Sequence, residues 1–115
     1  MRTEIYKGYG WNKEYLGYCE NNYIFSGYGW NATVVGEYHD CAIYKGYGWD
    51  KIHIGSVENG YVYSGYGFNR MTVGTYEGGY TYKGYGWNRI IIGSYDGSDG
   101  ASAAAALLLI LAKGK

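Results

Sequence analysis

The chain has 115 residues, among them 21 Gly and 17 Tyr but no Pro. Ten basic residues balance ten acidic ones, which removes both the electrostatic case for nucleic-acid binding and the repulsion that keeps like surfaces apart. With 47% apolar residues at zero net charge, disorder is excluded and one domain with a modest core is expected.

The first residues, Met1-Arg2-Thr3-Glu4, lead straight into a strand-like stretch with no apolar signal segment, so a cytoplasmic or assembly-associated location is expected. From Ile5 to Tyr95 the tripeptide Gly-Tyr-Gly recurs at Gly8, Gly27, Gly46, Gly65 and Gly84, always 19 residues apart. Fixed spacing without insertion is the signature of a tandem-repeat fold. Two turn signals divide each copy. One follows the aromatic residue, at Asn12, Asn31, Asp50, Asn69 and Asn88. The other is Asn21-Asn22, Asn59-Gly60, Gly78-Gly79 and Asp96-Gly97, residue pairs that supply the positive φ of tight hairpin turns. Strand-length stretches lie between them, and no 3.6-residue period is present. Each copy therefore reads as a β-hairpin, and the five together as a mainly β, ten-stranded antiparallel meander. Closing the sheet into a barrel removes its edges. A β-solenoid with one coil per copy and a helical cap is the alternative architecture.

Alternation along the second strand assigns the faces. Leu16, Val35, Ile54, Val73 and Ile92 form an aliphatic column expected to face the core, together with Ile52, Met71 and Ile90. The opposite face then carries Gly17, Gly36, Gly55, Gly74 and Gly93, which neighbouring aromatic rings are expected to cover. In the first strand the tripeptide glycines share a face with Tyr6, Phe25, Tyr44, Tyr63 and Tyr82.

Residues 1–95 thus form the repeat domain, 96–100 a glycine-rich linker and 101–115 a C-terminal helix within the same folding unit. The stretch Ala103 to Ala112 is apolar on all sides and rich in helix formers, so it must be buried all round. Asp99 or Ser102 can cap its start, and Lys113-Gly114-Lys115 suits its end. Ten tilted strands give a barrel radius of roughly 10 Å, too wide for short side chains to fill, and the helix supplies the missing volume. Leu107, Leu108, Leu109, Ile110 and Leu111 are its plug residues, seated in this barrel or in a neighbour's. The stretch is about half the ~20 residues needed to cross hydrocarbon, so membrane contact is not expected.

Two surfaces are candidates for function. Lys13, Lys51, Arg70 and Arg89 recur at one turn, and Glu20, Glu58, Glu77 and Asp96 at the other. A basic rim and an acidic rim predict head-to-tail self-association, a contact that builds rings or filaments. The second surface is the aromatic pair with Asn or Asp: Trp11-Asn12, Trp30-Asn31, Trp49-Asp50, Phe68-Asn69 and Trp87-Asn88. An exposed ring stacks on a sugar face while the amide bonds its hydroxyls, which makes a multivalent carbohydrate-binding module the alternative function. Catalysis is not expected, because His39, His53, Cys19 and Cys41 share no ligand or nucleophile spacing. Asp96-Gly97-Ser98-Asp99-Gly100 lacks the ligand series of a calcium loop, and no cofactor pattern is present. Two cysteines at unlike repeat positions are not expected to bridge.

Overall fold

A computed structural model describes residues 2–65 and 67–111. Ten antiparallel strands run as a meander: β1 (Thr3–Lys7), β2 (Glu14–Glu20), β3 (Tyr23–Ser26), β4 (Thr33–His39), β5 (Ala42–Lys45), β6 (Ile52–Glu58), β7 (Tyr61–Ser64), β8 (Met71–Glu77), β9 (Tyr80–Lys83) and β10 (Ile90–Asp96). The sheet closes on itself through β1 and β10, with Glu4 opposite Asp96 and Lys7 opposite Gly93. It is a closed barrel, not a solenoid.

The short turns joining β2–β3, β4–β5, β6–β7 and β8–β9 define one mouth. Their central residues have positive φ throughout, as at Asn59 (53°) and Gly60 (86°), the geometry whose twist matches paired strands. Asp96-Gly97 is not such a turn and instead leads from β10 into the helix. The other mouth carries five longer loops. Here the tripeptide glycines are not in strands, as the sequence reading had them. Gly46 (φ 82°) and Gly48 (φ 69°) flank an extended Tyr47 and reverse the chain into a 3-10 turn, Gly48–Asp50. Backbone in that region penalises a side chain at Cβ, which explains glycine at both positions.

The aliphatic column has an unforeseen role. Ile5 pairs with Gly17 and Tyr6 with Tyr15, so Leu16 is an extra residue, a β-bulge. Val35, Ile54, Val73 and Ile92 are bulged in the same way in β4, β6, β8 and β10. A bulge resets the in-out alternation and bends the strand. The aliphatic residue still packs against the core, as expected, but the glycine after it also faces inward. Gly36, Gly55, Gly74 and Gly93 are covered not by aromatic rings but by the helix, and Gly17 lies against the β3 backbone at Phe25 and Ser26. Ile52, Met71 and Ile90, expected in the core, are 63–69% exposed where their strands begin. A second inward column, Ile5, Ile24, Ile43, Val62 and Thr81, lies on the odd strands and is fully buried.

The C-terminal segment enters through the short-turn mouth. Asp99 caps helix α1 (Gly100–Ala106), accepting from the Ser102 N–H at 3.1 Å, and its own N–H donates to Thr3 Oγ1 at 3.1 Å. Ala103 to Ala106 are fully buried, small enough for a helix on the barrel axis. The last turn, Leu107–Leu111, widens to π geometry. A Cβ built on Gly93 would meet Leu107, on Gly74 Leu108, on Gly55 Leu109 and on Gly36 Ile110, each within 2.7 Å. Successive helix residues thus fill hollows on successive repeats. The expected Lys113-Gly114-Lys115 terminus and Ala112 lie outside the described residues.

Candidate functional site

The five longer loops fold back along the outer wall and carry five aromatic tips around the barrel: Trp11, Trp30, Trp49, Phe68 and Trp87. Each is fully exposed, and Asn12, Asn31, Asp50, Asn69 and Asn88 beside them are exposed too. Scattered exposed apolar residues need no explanation. Large rings repeated at one position of every unit, with none of their surface covered, are a different matter.

Each loop is held from behind while its tip stays free. Lys13, Lys51, Arg70 and Arg89, one residue after each 3-10 turn, lie over the rings of Tyr6, Tyr44, Tyr63 and Tyr82 at 4.2, 4.8, 4.0 and 3.9 Å. The second copy has Ala32 there, and its Phe25 stacks on Tyr18 at 4.6 Å instead. The same cations reach back over the outer wall to the preceding hairpin. Arg70 pairs with Glu58 at 3.1 Å, Arg89 with Glu77 at 3.1 Å and Lys51 with Glu37 at 3.0 Å. Arg2 pairs with Glu20 at 3.4 Å. The two charge sets do leave opposite mouths of the barrel, but several members are joined within one chain. The sequence reading missed this because the pairs are 12 or more residues apart and become neighbours only when each loop folds back.

Glu37 is the tightest of these anchors. It accepts from the Gly48 N–H at 2.9 Å and lies 2.6 Å from His39 Nε2, besides its contact with Lys51. The Gly48 N–H above all, with His39 and Lys51 adding to it against the cost of burial, lowers its carboxyl to about 2. In the fifth copy Ser94 Oγ, at the matching position, donates to Gly8 O at 3.0 Å. Thr75, also at that position, is buried with its hydroxyl unpartnered among the described residues. Glu37 and Ser94 thus position the loops they touch.

Between one of these loops and the short-turn mouth a cleft of about 590 Å³ is lined by Tyr38, Cys41, His53, Gly67, Arg70 and Tyr76, among others. Its aromatic hydroxyls are pushed up by burial at Tyr38 and Tyr76. No group of three His, Cys, Asp or Glu side chains among the described residues is arranged to hold a metal ion. Cys19 is buried and Cys41 exposed, and both are free thiols. Burial pushes the Cys19 thiol up to about 12, partly offset by its hydrogen bond with Ser102. No helix of the described residues is long and apolar enough to cross a membrane. Comparison with protein-family models, curated proteins and solved structures finds no match, so the aromatic tips are identified as the candidate site by their residues and exposure alone.

Proposed function

We propose that this chain is a non-enzymatic, multivalent binding module whose working surface is the set of aromatic tips around the barrel. The observation that carries this reading is the full exposure of the aromatic tip in all five copies, four of them on loops anchored by a cation–π contact. A protein conserving apolar surface for its own stability would bury those rings. Like contacts spaced around one rigid barrel gain avidity where a ligand reaches more than one of them, since each later contact is intramolecular.

Self-association through the charged rims, the first expectation from sequence, has fewer free charges to work with once Arg70, Arg89, Lys51 and Arg2 are paired within the chain. Exposed pairs of this kind contribute little energy, yet each occupied carboxylate is one fewer for a second copy. Carbohydrate binding remains the second reading, favoured by the exposed Asn or Asp beside every ring.

The test replaces Trp11, Trp30, Trp49, Phe68 and Trp87 together with Ser. Because these rings bury nothing, the variant should fold and melt like the parent. It should lose retention on immobilised glycans, on lipid vesicles and on the protein itself, whichever of these the parent binds. Unchanged retention by a folded five-tip variant would overturn the reading.

A further inference from the structure

We infer that the cleft beside Trp87 holds the carboxylate of an acidic sugar, an inference that rests on the aromatic tips being the working surface. The repeat carries its own template for such a seat. In the second copy the Glu37 carboxylate fills the gap between its strand and the folded-back loop. One oxygen accepts from the Gly48 N–H at 2.9 Å and the other from Lys51 Nζ at 3.0 Å. Two 19-residue units further on, Thr75, Gly86 and Arg89 take the places of Glu37, Gly48 and Lys51. The register is kept, since Glu37 stands opposite Tyr23 and Thr75 opposite Tyr61. The fourth copy has the donors of that seat but no side-chain carboxylate at its centre.

There the gap is a cleft of about 510 Å³, lined by Thr75, Gly86, Trp87, Arg89, Asn59 and Tyr61, among others. That size falls within the roughly 300–1,000 Å³ of small-ligand pockets. Thr75 is only 7% exposed, and its hydroxyl has no partner among the described residues, a cost that an acceptor in the cleft would remove. The Gly86 N–H has no backbone partner among the described residues. A ligand carboxylate placed where Glu37 lies in the second copy meets this N–H and the Arg89 guanidinium, and a turn about χ1 brings it the Thr75 hydroxyl. Arg89 already pairs with Glu77 at 3.1 Å, where the second copy has His39. The Glu77 side chain is 70% exposed, so that pair is weak, and the guanidinium keeps further donors.

The other copies differ at this seat. Ser94 spends its hydroxyl on Gly8 O in the fifth, and in the first the position belongs to Tyr18, stacked on Phe25. The third opens a kindred cleft at Ser56, Gly67 and Arg70, but Asp40 lines it where the fourth has Asn59, and its charge opposes an acid. The sugar is assigned by the rest of the lining. Trp87 offers a fully exposed ring for a pyranose face, and Asn59 and Tyr61 offer an amide and a hydroxyl for the sugar's own hydroxyls.

The experiment titrates the intact protein by calorimetry with glucuronate, glucose, acetate and a pentaglutamate peptide. Glucuronate should bind at least tenfold more tightly than glucose, which lacks the charge-assisted contacts, and more tightly than acetate, which cannot reach the ring. Arg89→Gln should weaken glucuronate about tenfold, whereas Glu77→Gln, which releases Arg89, should strengthen it about threefold. Thr75→Glu rebuilds the second copy's arrangement, so it should abolish glucuronate binding while Tm holds or rises. Thr75→Val, equal in shape but without the hydroxyl, should fold and bind glucuronate more weakly.

Equal binding of glucuronate and glucose, tighter binding of the peptide, or a Thr75→Glu variant that binds like the parent overturns the inference. Capture of glucose that depends on Trp87 but shows no preference for the acid would overturn the acid assignment alone. Glucuronate binding that survives Trp87→Ser and the five-tip variant in full would overturn the tips as the working surface as well.

Discussion

Gly55→Ala is a sharp perturbation because it adds one methyl group to a position whose backbone any residue could adopt. The added Cβ would lie 2.3 Å from the Tyr63 carbonyl oxygen and 2.6 Å from Leu109 Cδ1. The leucine tip can turn aside, but the carbonyl belongs to the neighbouring strand β7 and can retreat only if the barrel wall opens. Overpacking of this kind costs about 1–3 kcal/mol, and the contact with fixed backbone places the cost towards the upper end. For a chain of this size about 2.5 kcal/mol corresponds to a fall in Tm of roughly 10 °C. Pairing the change with Leu109→Ala isolates the cause. Leu109→Ala alone should cost about 2–5 kcal/mol through the cavity it leaves. In the double variant only the side-chain part of the Gly55 clash is relieved, so the urea-unfolding free energies should be close to additive, with less than about 1 kcal/mol of coupling. If Gly55→Ala melts within a degree or two of the parent, the inward glycine column is not the tight seat described. Strong rescue by Leu109→Ala would place the conflict on the helix and not on the wall.

Leu109→Asp puts an unpaired charge where the side chain is almost fully buried; calorimetry should find no cooperative transition, and a melt matching the parent's would refute the buried plug. Glu37 is held at about 2 in the folded protein, below its ordinary value near 4.3. Its contribution is therefore present above the unfolded value and lost as pH falls from there towards 2. Tm over this window should fall more steeply for the parent than for Glu37→Gln, and parallel profiles would contradict the anchoring role. In native buffer one thiol, Cys41, should react with a chromogenic disulfide, and Cys19 should follow only in denaturant; immediate reaction of both would mean that the helix leaves the barrel readily.

The repeat architecture was legible because the 19-residue spacing is free of insertions, and the helix because a segment apolar on every face has to be enclosed. The inward glycines were not legible. Strict alternation puts Gly55 and Ile54 on opposite faces, and only the strand register shows that Ile54 is bulged. A bulge depends on where the partner strand pairs, which one strand's sequence does not record. The buried column of Ile5, Ile24, Ile43, Val62 and Thr81 did recur every 19 residues and could have been found by that spacing. The charged rims were placed at their proper strand ends, but whether Arg70 meets Glu58 depends on a loop folding back over the wall. The aromatic tips were visible as repeated pairs, whereas their complete exposure was a question of three-dimensional packing.

The meeting of four consecutive helix residues with four glycines constrains the number of repeats. Five units around a ring stand about 72° apart, whereas an α-helix advances about 100° per residue and a π-turn about 80°. Over the three steps from Leu107 to Ile110 an α-helix would overrun the glycines by about 84°, more than a whole unit, and the π-turn by only about 24°. The plug is geared to its host. Duplicating one 19-residue unit is genetically simple and would leave the hairpin-to-hairpin contacts intact, but a sixth unit closes the spacing to about 60°, beyond the reach of either helical pitch. Such a protein should form its sheet while its terminal helix exchanges amide hydrogens freely; a six-unit chain with a protected helix would refute the gearing. The seat of the helix and the five-unit spacing of the wall are thus matched at Gly36, Gly55, Gly74 and Gly93.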